Sequence, residues 1–373
     1  MKNQKSVLIA FTGGLKSTVA AYLLIKQGYK VMACSFLMGE YGSSCTLKNS
    51  DRAGEICKQL EINHSTLDLS SEYYEMVISP LVGAKVSGEA SYPCFNCNIL
   101  KMEKLLKHAN DNKIDFIATG HLANLVKEPS GFKLLQGIEE EYDQSFFISG
   151  IREPILEKLL LPLGKLTLNE IEKISKSLNL QLEVKSSRTI CLDDLNQIIP
   201  IVEREVPLSL RSGGLIIDRE TGMTLGQHNG FYNFKLGMKN LDTWNLEPSN
   251  NLLVVGFDDK KKIVLVSENA RFVQEQLEVN LFNSFLDIDQ TGPLKCLLAL
   301  EPGAKKILCV VFLGNNGHAT IQMENPVDVP IEIGKLIVFY ENSFGNVRLI
   351  ATGFVSKLGP FPENSQEEGN YIN

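Results

Sequence analysis

Val7-Leu8-Ile9-Ala10-Phe11-Thr12-Gly13-Gly14-Leu15-Lys16-Ser17-Thr18 is the stretch whose reading decides the fold. The apolar run reads as a buried strand, and the pattern from about Lys16 to Gln27 reads as a helix. Between them, paired glycines and hydroxyls stand at a helix N-terminus. Backbone N–H groups there have no partner within the helix, and the positive end of the dipole favours a phosphate. A Walker A loop needs glycines where this chain has Ala10 and Leu15, so an ordinary P-loop is excluded. A tight strand-to-helix turn with no ligand is the competing reading.

Outward from this loop the first half alternates strands and helices. Lys30 to Phe36, a stretch near Ser65 to Leu69 and Asp115 to Thr119 read as strands, with a helix from about Ser50 to Leu60. Such alternation predicts a parallel sheet with helices on both faces. Gly28 suits a left-handed helix end. Thr167-Leu168-Asn169-Glu170 reads as a capping box ahead of another helix. From Gly213 short alternating runs are separated by turn residues such as Glu220-Thr221-Gly222, so the second half reads as mostly β. We place domains at 1–200, 201–270 and 271–373.

The chain has 373 residues, too many for one core of ordinary size. Hydrophobic residues at 44% and charged residues at 22% exclude a disordered chain or a fibre. No apolar stretch reaches the roughly 20 residues of a membrane span, and the run after Lys5 is too short for a signal peptide, so a cytoplasmic protein with no membrane partner is expected. A net charge of −7 disfavours diffuse nucleic-acid binding but allows a local basic patch. The eight cysteines read as thiols, metal ligands or catalytic groups rather than a disulfide framework.

Tyr92-Pro93-Cys94-Phe95-Asn96-Cys97-Asn98 holds a Cys-x-x-Cys that alone fits a redox pair, half a metal site, or a nucleophile and its neighbour. Thr12-Gly13-Gly14-Leu15-Lys16-Ser17 resembles the PP-loop, Ser-Gly-Gly-x-Asp-Ser, of enzymes that split ATP into AMP and pyrophosphate. Taken with Cys45-Thr46, Ala118-Thr119-Gly120-His121, Tyr142-Asp143-Gln144-Ser145, Leu161-Pro162-Leu163-Gly164-Lys165, Thr189-Ile190-Cys191 and Gly226-Gln227-His228-Asn229-Gly230, these motifs fall into a known order. The chain resembles the tRNA-specific 2-thiouridylase family (MnmA) from about residue 5 to about 345, as a diverged member with an altered PP-loop.

That resemblance implies an adenine-nucleotide α/β hydrolase-like (PP-loop) domain, a small linking domain and a C-terminal β-barrel. It implies an ATP-dependent sulfurtransferase that adenylates the 2-oxygen of a tRNA wobble uridine and then delivers sulfur, with a sulfur-donor or relay protein as partner. Carried across, Cys97 is the nucleophile and Cys191 carries the persulfide. Ala10, Phe11, Thr12, Gly13, Gly14, Leu15, Lys16, Ser17 and Gly120 hold ATP with Mg2+, and Phe36 meets adenine, with Met38 as the fallback. Tyr92, Pro93, Cys94, His121, Tyr142, Asp143 and Gln144 face the RNA substrate. A [4Fe-4S] cluster on Cys94, Cys97 and Cys191 is the alternative to a free persulfide.

The departures are specific. Lys16 stands for the PP-loop aspartate, a reversal of charge. Tyr92 stands for asparagine, Cys94 for aspartate and Tyr142 for lysine. The family's Gly-Gln-Arg loop reads Gly237-Met238-Lys239-Asn240, its Arg-Tyr pair is lost near Asn280 to Asn283, and its Pro-Gly-Gln reads Ile333-Gly334-Lys335. Because Arg and Lys contacts carry much of RNA affinity, these changes bear on the substrate more than on the fold. Lys16, Lys235, Lys239 and Lys335 are the candidates for a replacement patch. Two further readings follow: a binding or regulatory paralogue without adenylation, or sulfur transfer to another acceptor.

Overall fold

The computed structural model describes residues 4–41, 45–129, 131–178, 192, 194–211, 213–239, 252–285, 292–343 and 346–359. Its first sheet holds β1 (Ser6–Ala10), β2 (Lys30–Leu37), β3 (Asn63–Asp68), β4 (Phe116–Ala118) and β7 (Leu159–Leu160), all parallel in the order β3-β2-β1-β4-β7. Alternate residues of β1 serve opposite faces. Val7 and Ile9 join Val19, Ala20 and Leu24 of α1 (Leu15–Lys26) and Ala53 and Ile56 of α2 (Leu47–Gln59) in one core. Leu8 joins the other core with residues from the helical run α3 (Ser70–Tyr73), a π-helical turn (Tyr74–Ile78) and α4 (Ser79–Ser87), and from α5 (Pro93–Asp111). Gly28 takes the expected left-handed conformation, with φ 87°.

Strand order reverses between β1 and β4, and in an open α/β sheet the crevice beyond the strand C-termini at that point is where ligands bind.

β5 (Ala123–Glu128) and β6 (Gly131–Gln136) form a hairpin that the sequence reading did not anticipate. It leaves the first sheet and continues another: Leu135 of β6 lies opposite Arg348 of β17 (Asn346–Leu358). After one turn of α6 (Glu153–Leu156), α7 (Leu168–Ser177) starts with the capping box, Thr167 Oγ1 accepting from Glu170 N and Glu170 accepting from Thr167 N. α8 (Leu195–Glu205) spans residue 200 and buries Ile198, Ile201 and Val202 in the core shared with α5.

A small sheet of β8 (Gly214–Asp218), β9 (Thr224–His228), β10 (Leu253–Asp258) and β11 (Ile263–Ser267) follows in the order β10-β11-β8-β9. The last strands, β12 (Val273–Ser284), β13 (Leu294–Ala299), β14 (Ile307–Leu313), β15 (His318–Asp328), β16 (Leu336–Ser343) and β17, close through a β12–β17 pairing into a six-stranded antiparallel barrel. Closure removes the free edges that invite aggregation. Ala299, Leu336, Val338, Tyr340 and Leu349 of the barrel belong to the α5-side core, so burial ties the barrel to the first unit.

Candidate functional site

A pocket with about 220 Å3 of space for water opens at the reversal point. Its floor is the loop after β1. Thr12 Oγ1 and Ser17 Oγ lie 3.1 Å apart, and Thr12 N donates to Ser17 Oγ at 3.3 Å. Gly13 has φ +66°, and a Cβ there would lie 3.0 Å from Ala53 Cα, so conformation and crowding both require glycine. Gly14 begins α1 in extended geometry with no side-chain cap. The N-terminus of α1, with Lys16 and Ser17 of its first turn, thus faces the pocket. At Gly120, just past β4, a Cβ would come within 2.9 Å of Lys16 C and Ser17 N, which shows how closely the two walls approach. Ser35 and Phe36 of β2 line one side, Thr46, Asn49 and Ser50 at the start of α2 another, and Asn98, Lys101 and Met102 of α5 a third.

The pocket is cationic. Lys16 Nζ donates to Gln144 Oε1 at 3.1 Å, and the same oxygen accepts from Leu122 N at 3.1 Å. Burial pulls the Lys16 ammonium down to about 8. Lys101 Nζ reaches Cys45 Sγ at 3.3 Å. His121 Nδ1 and Thr119 Oγ1 lie 2.9 Å apart. Burial, then the charges of Lys16 and Lys101, lower the imidazole to about 3, so it stays neutral at physiological pH.

A second pocket, also with about 220 Å3 of space for water, lies where the three units meet. Tyr92, Tyr142 and Phe147 give it aromatic walls, and Lys85, Lys235 and Lys335 line it with Glu141, Glu301 and Glu332. Lys335 Nζ is 3.1 Å from Glu301 Oε1. Gln144 lines both pockets.

Residues 5–193 match the family described as tRNA methyl transferase HUP domain. A tRNA-specific 2-thiouridylase MnmA from Geotalea uraniireducens is 32% identical over 91% of this chain and 92% of its own. The chain belongs to the MnmA family. MnmA proteins from Clostridium acetobutylicum (26% identity, 90% of this chain and 96% of theirs) and Buchnera aphidicola (28%, 91% and 95%) align as fully. Among solved structures, the U34-tRNA thiolase NcsA from Methanococcus maripaludis with its [4Fe-4S] cluster aligns over 56% of this chain and 69% of that one at 18% identity. Its TM-score is 0.35.

Within this MnmA-family chain the residues singled out from sequence divide by place. Ala10, Phe11, Thr12, Lys16, Ser17, Phe36, Gly120, His121 and Gln144 line the first pocket. Gly13 and Gly14 shape its loop without lining it. Leu15 points into the α1-side core, and Met38 is buried at 1% exposure away from the pocket, which favours Phe36 as the aromatic wall. Tyr92, Tyr142 and Asp143 line the second pocket. Asp143 is consumed by structure: Oδ1 accepts from Gly137 N (2.8 Å) and Ser145 N (3.0 Å), and Oδ2 from Ser145 Oγ (2.6 Å). Ser145 Oγ in turn lies 3.0 Å from Tyr340 OH of the barrel. Pro93 is the buried first residue of α5, and Tyr92 packs edge-on to Phe146 at 5.4 Å.

Cys94 and Cys97 sit half-buried in the first turns of α5, three residues apart and so on neighbouring positions of one helix face, and neither is among the described residues that line these two pockets. Cys191 lies outside the described residues. Cys34 and Cys57 are core thiols, pushed by burial to about 11 and about 12 respectively. Sequence reasoning gave no role to Lys101, Cys45, Thr46, Asn49 or Ser35, all of which line the first pocket.

Proposed function

We propose that the protein is an ATP-dependent tRNA sulfurtransferase that thiolates a uridine at its 2-oxygen. Its relatives are named for that reaction. The observation that carries the reading is the shared wall at Gln144, which sets a cationic pocket with a helix N-terminus next to an aromatic one. ATP fits the first, with adenine at Phe36 and phosphates at α1. A uridine base fits the second, against Tyr92 and Phe147, with Lys85, Lys235 and Lys335 toward the RNA backbone.

In the adenylation step the uridine 2-oxygen attacks the α-phosphorus and the bond to pyrophosphate breaks. First-turn N–H groups and lysine ammonium groups stabilise the charge that develops. The persulfide sulfur of Cys191 then attacks C2, and AMP departs with the oxygen. Cys97 breaks the S–S bond, leaving sulfur on the uridine and a Cys97–Cys191 disulfide that a thiol reductant reopens. A sulfur-donor protein supplies the persulfide.

For a [4Fe-4S] cluster, only Cys94 and Cys97 of its three candidate ligands lie among the described residues, and no group of three metal-ligating side chains occurs there. The described residues do not make up a cluster site.

Cys97→Ser and Cys191→Ser should each abolish thiolation, read by mass spectrometry of tRNA nucleosides, with unchanged thermal melts and unchanged ATP–pyrophosphate exchange. Full activity in either variant removes that cysteine from the mechanism. Lys16 favours one second reading, a paralogue that binds nucleotide without adenylation; ATP–pyrophosphate exchange in the presence of substrate tRNA distinguishes it.

A further inference from the structure

The barrel carries a pair of thiols that the sulfur transfer does not use. Cys296 of β13 stands directly opposite Cys309 of β14 in the antiparallel ladder, and their Sγ atoms are 3.5 Å apart. Both are buried, at 4% and 3% exposure, in the barrel core with Leu298, Val311 and Met323. Directly opposed residues of an antiparallel pair have Cα atoms about 4.5 or 5.5 Å apart, and a disulfide spans about 4.4 to 6.8 Å. A bond between these two therefore needs no shift of the strands. The sulfurs have only to close by about 1.5 Å, which rotation about the side-chain bonds provides.

The two cysteines stand at the base of one hairpin, 13 residues apart, and the chain between them reaches the second pocket. Glu301 and Pro302 line that pocket. Gly303 takes φ +69° and packs so closely on the neighbouring 3-10 turn that a Cβ would lie 2.8 Å from Glu141 O. Lys306 Nζ is 2.8 Å from Glu140 Oε1 and 5.0 Å from the centre of the Tyr340 ring. A covalent link at the base would make this stretch a closed ring, and ring closure restricts the conformations its tip can take.

We propose that Cys296 and Cys309 are an oxidisable pair whose disulfide staples the β13–β14 hairpin and restrains the stretch at Glu301 and Pro302 that walls the second pocket.

The oxidant is a hydroperoxide, and hydrogen peroxide is close to water in size. One cysteine sulfur attacks a peroxide oxygen, the O–O bond breaks and water leaves, giving a sulfenic acid. The second cysteine attacks that sulfur, the S–O bond breaks and a second water leaves. Two thiols are oxidised, one peroxide is reduced, and the thiol protons depart with the two waters. Contact with Cys309 and burial push the Cys296 thiol up, which slows the first attack, so the test uses excess peroxide.

The intact protein is treated with hydrogen peroxide, unfolded, blocked with iodoacetamide and digested with trypsin, which cuts between the two cysteines at Lys305 and Lys306. Mass spectrometry should find the two peptides joined and lighter by two hydrogens than their sum, and dithiothreitol should separate them. In the oxidised protein, amide hydrogen exchange across residues 297–308 should slow by about fivefold or more, and the melting midpoint should rise by about 3 °C or more. Cys296→Ala and Cys309→Ser should each lose the link and both effects. Melts of the untreated variants report folding, and either variant alone carries the comparison. Recovery of both cysteines blocked, or separately oxidised to sulfinic acids, overturns the proposal. So do a slowing and a rise that persist in the variants, and a link that leaves exchange across 297–308 unchanged. No readout uses ATP or tRNA, so the outcome stands apart from the thiolation reading.

Discussion

Raising the pH through 8 should loosen the nucleotide while firming the free protein, because both effects pass through Lys16. Burial lowers this ammonium from 10.5 to about 8. The fold therefore disfavours its charged form, and the cost is fully present below pH 8. It is relieved as pH rises from 8 to 10.5, the window in which the unfolded chain binds the extra proton. The shift corresponds to about 3 kcal/mol, so this residue makes stability rise with pH across that window.

Binding of a polyphosphate has the opposite sign, since the anion needs the ammonium. In the free protein Lys16 is about nine-tenths charged at pH 7, half at pH 8 and a tenth at pH 9, so affinity should fall about tenfold between pH 7 and 9. The triphosphate itself is fully ionised over most of this range. Calorimetry in buffers of different ionisation enthalpy should read uptake of about 0.1, 0.5 and 0.9 proton per nucleotide at pH 7, 8 and 9. Among the described residues, the facing groups are Gln144, which does not titrate, His121, neutral throughout, and Lys101 with Cys45 across the cavity. Cys45→Ser should keep the profile and Lys16→Met should flatten it. Affinity that is flat from pH 7 to 9, or the same slope in Lys16→Met, would refute the reasoning.

Gly120→Ala places a methyl 2.9 Å from backbone atoms of Lys16 and Ser17. It should cost about 1 to 3 kcal/mol in a chemical denaturation curve and weaken ATP binding through the displaced first turn of α1. Asp143→Ala removes the acceptor for two backbone N–H groups and one hydroxyl. It should destabilise the protein by about 3 to 5 kcal/mol in the same measurement, whereas a residue that only touched RNA would leave the curve unmoved.

What could be read from sequence was what is local in the chain. The strand, paired glycines and helix of residues 7–18 lie within a few residues of one another, and so do the left-handed Gly28 and the capping box at Thr167, where spacing alone fixes the geometry. The β5–β6 hairpin was illegible because its partner is β17, near the other end of the chain. Leu15, read as part of the ligand loop, turns into the core because the helix has already begun there and its phase sets the direction. Asp143 reads like a site residue because it is polar and adjoins Gln144. Only the packed structure shows its oxygens taken by Gly137 and Ser145. Lys101 carries no motif of its own, and its place in the pocket depends on how α5 lies across the sheet.

Gln144 shows why the two pockets have to be considered together. Its carbonyl oxygen accepts from Lys16 on the nucleotide side and from the Leu122 backbone, while its side chain also walls the aromatic pocket. Phosphate that draws Lys16 away leaves the bond from Leu122 N, so the shared wall keeps an anchor while the ammonium is redirected. The wall therefore need not collapse when the first ligand arrives. An enzyme that must join a nucleotide to a base needs such a partition, one that can give up a donor on one side and still present a surface on the other.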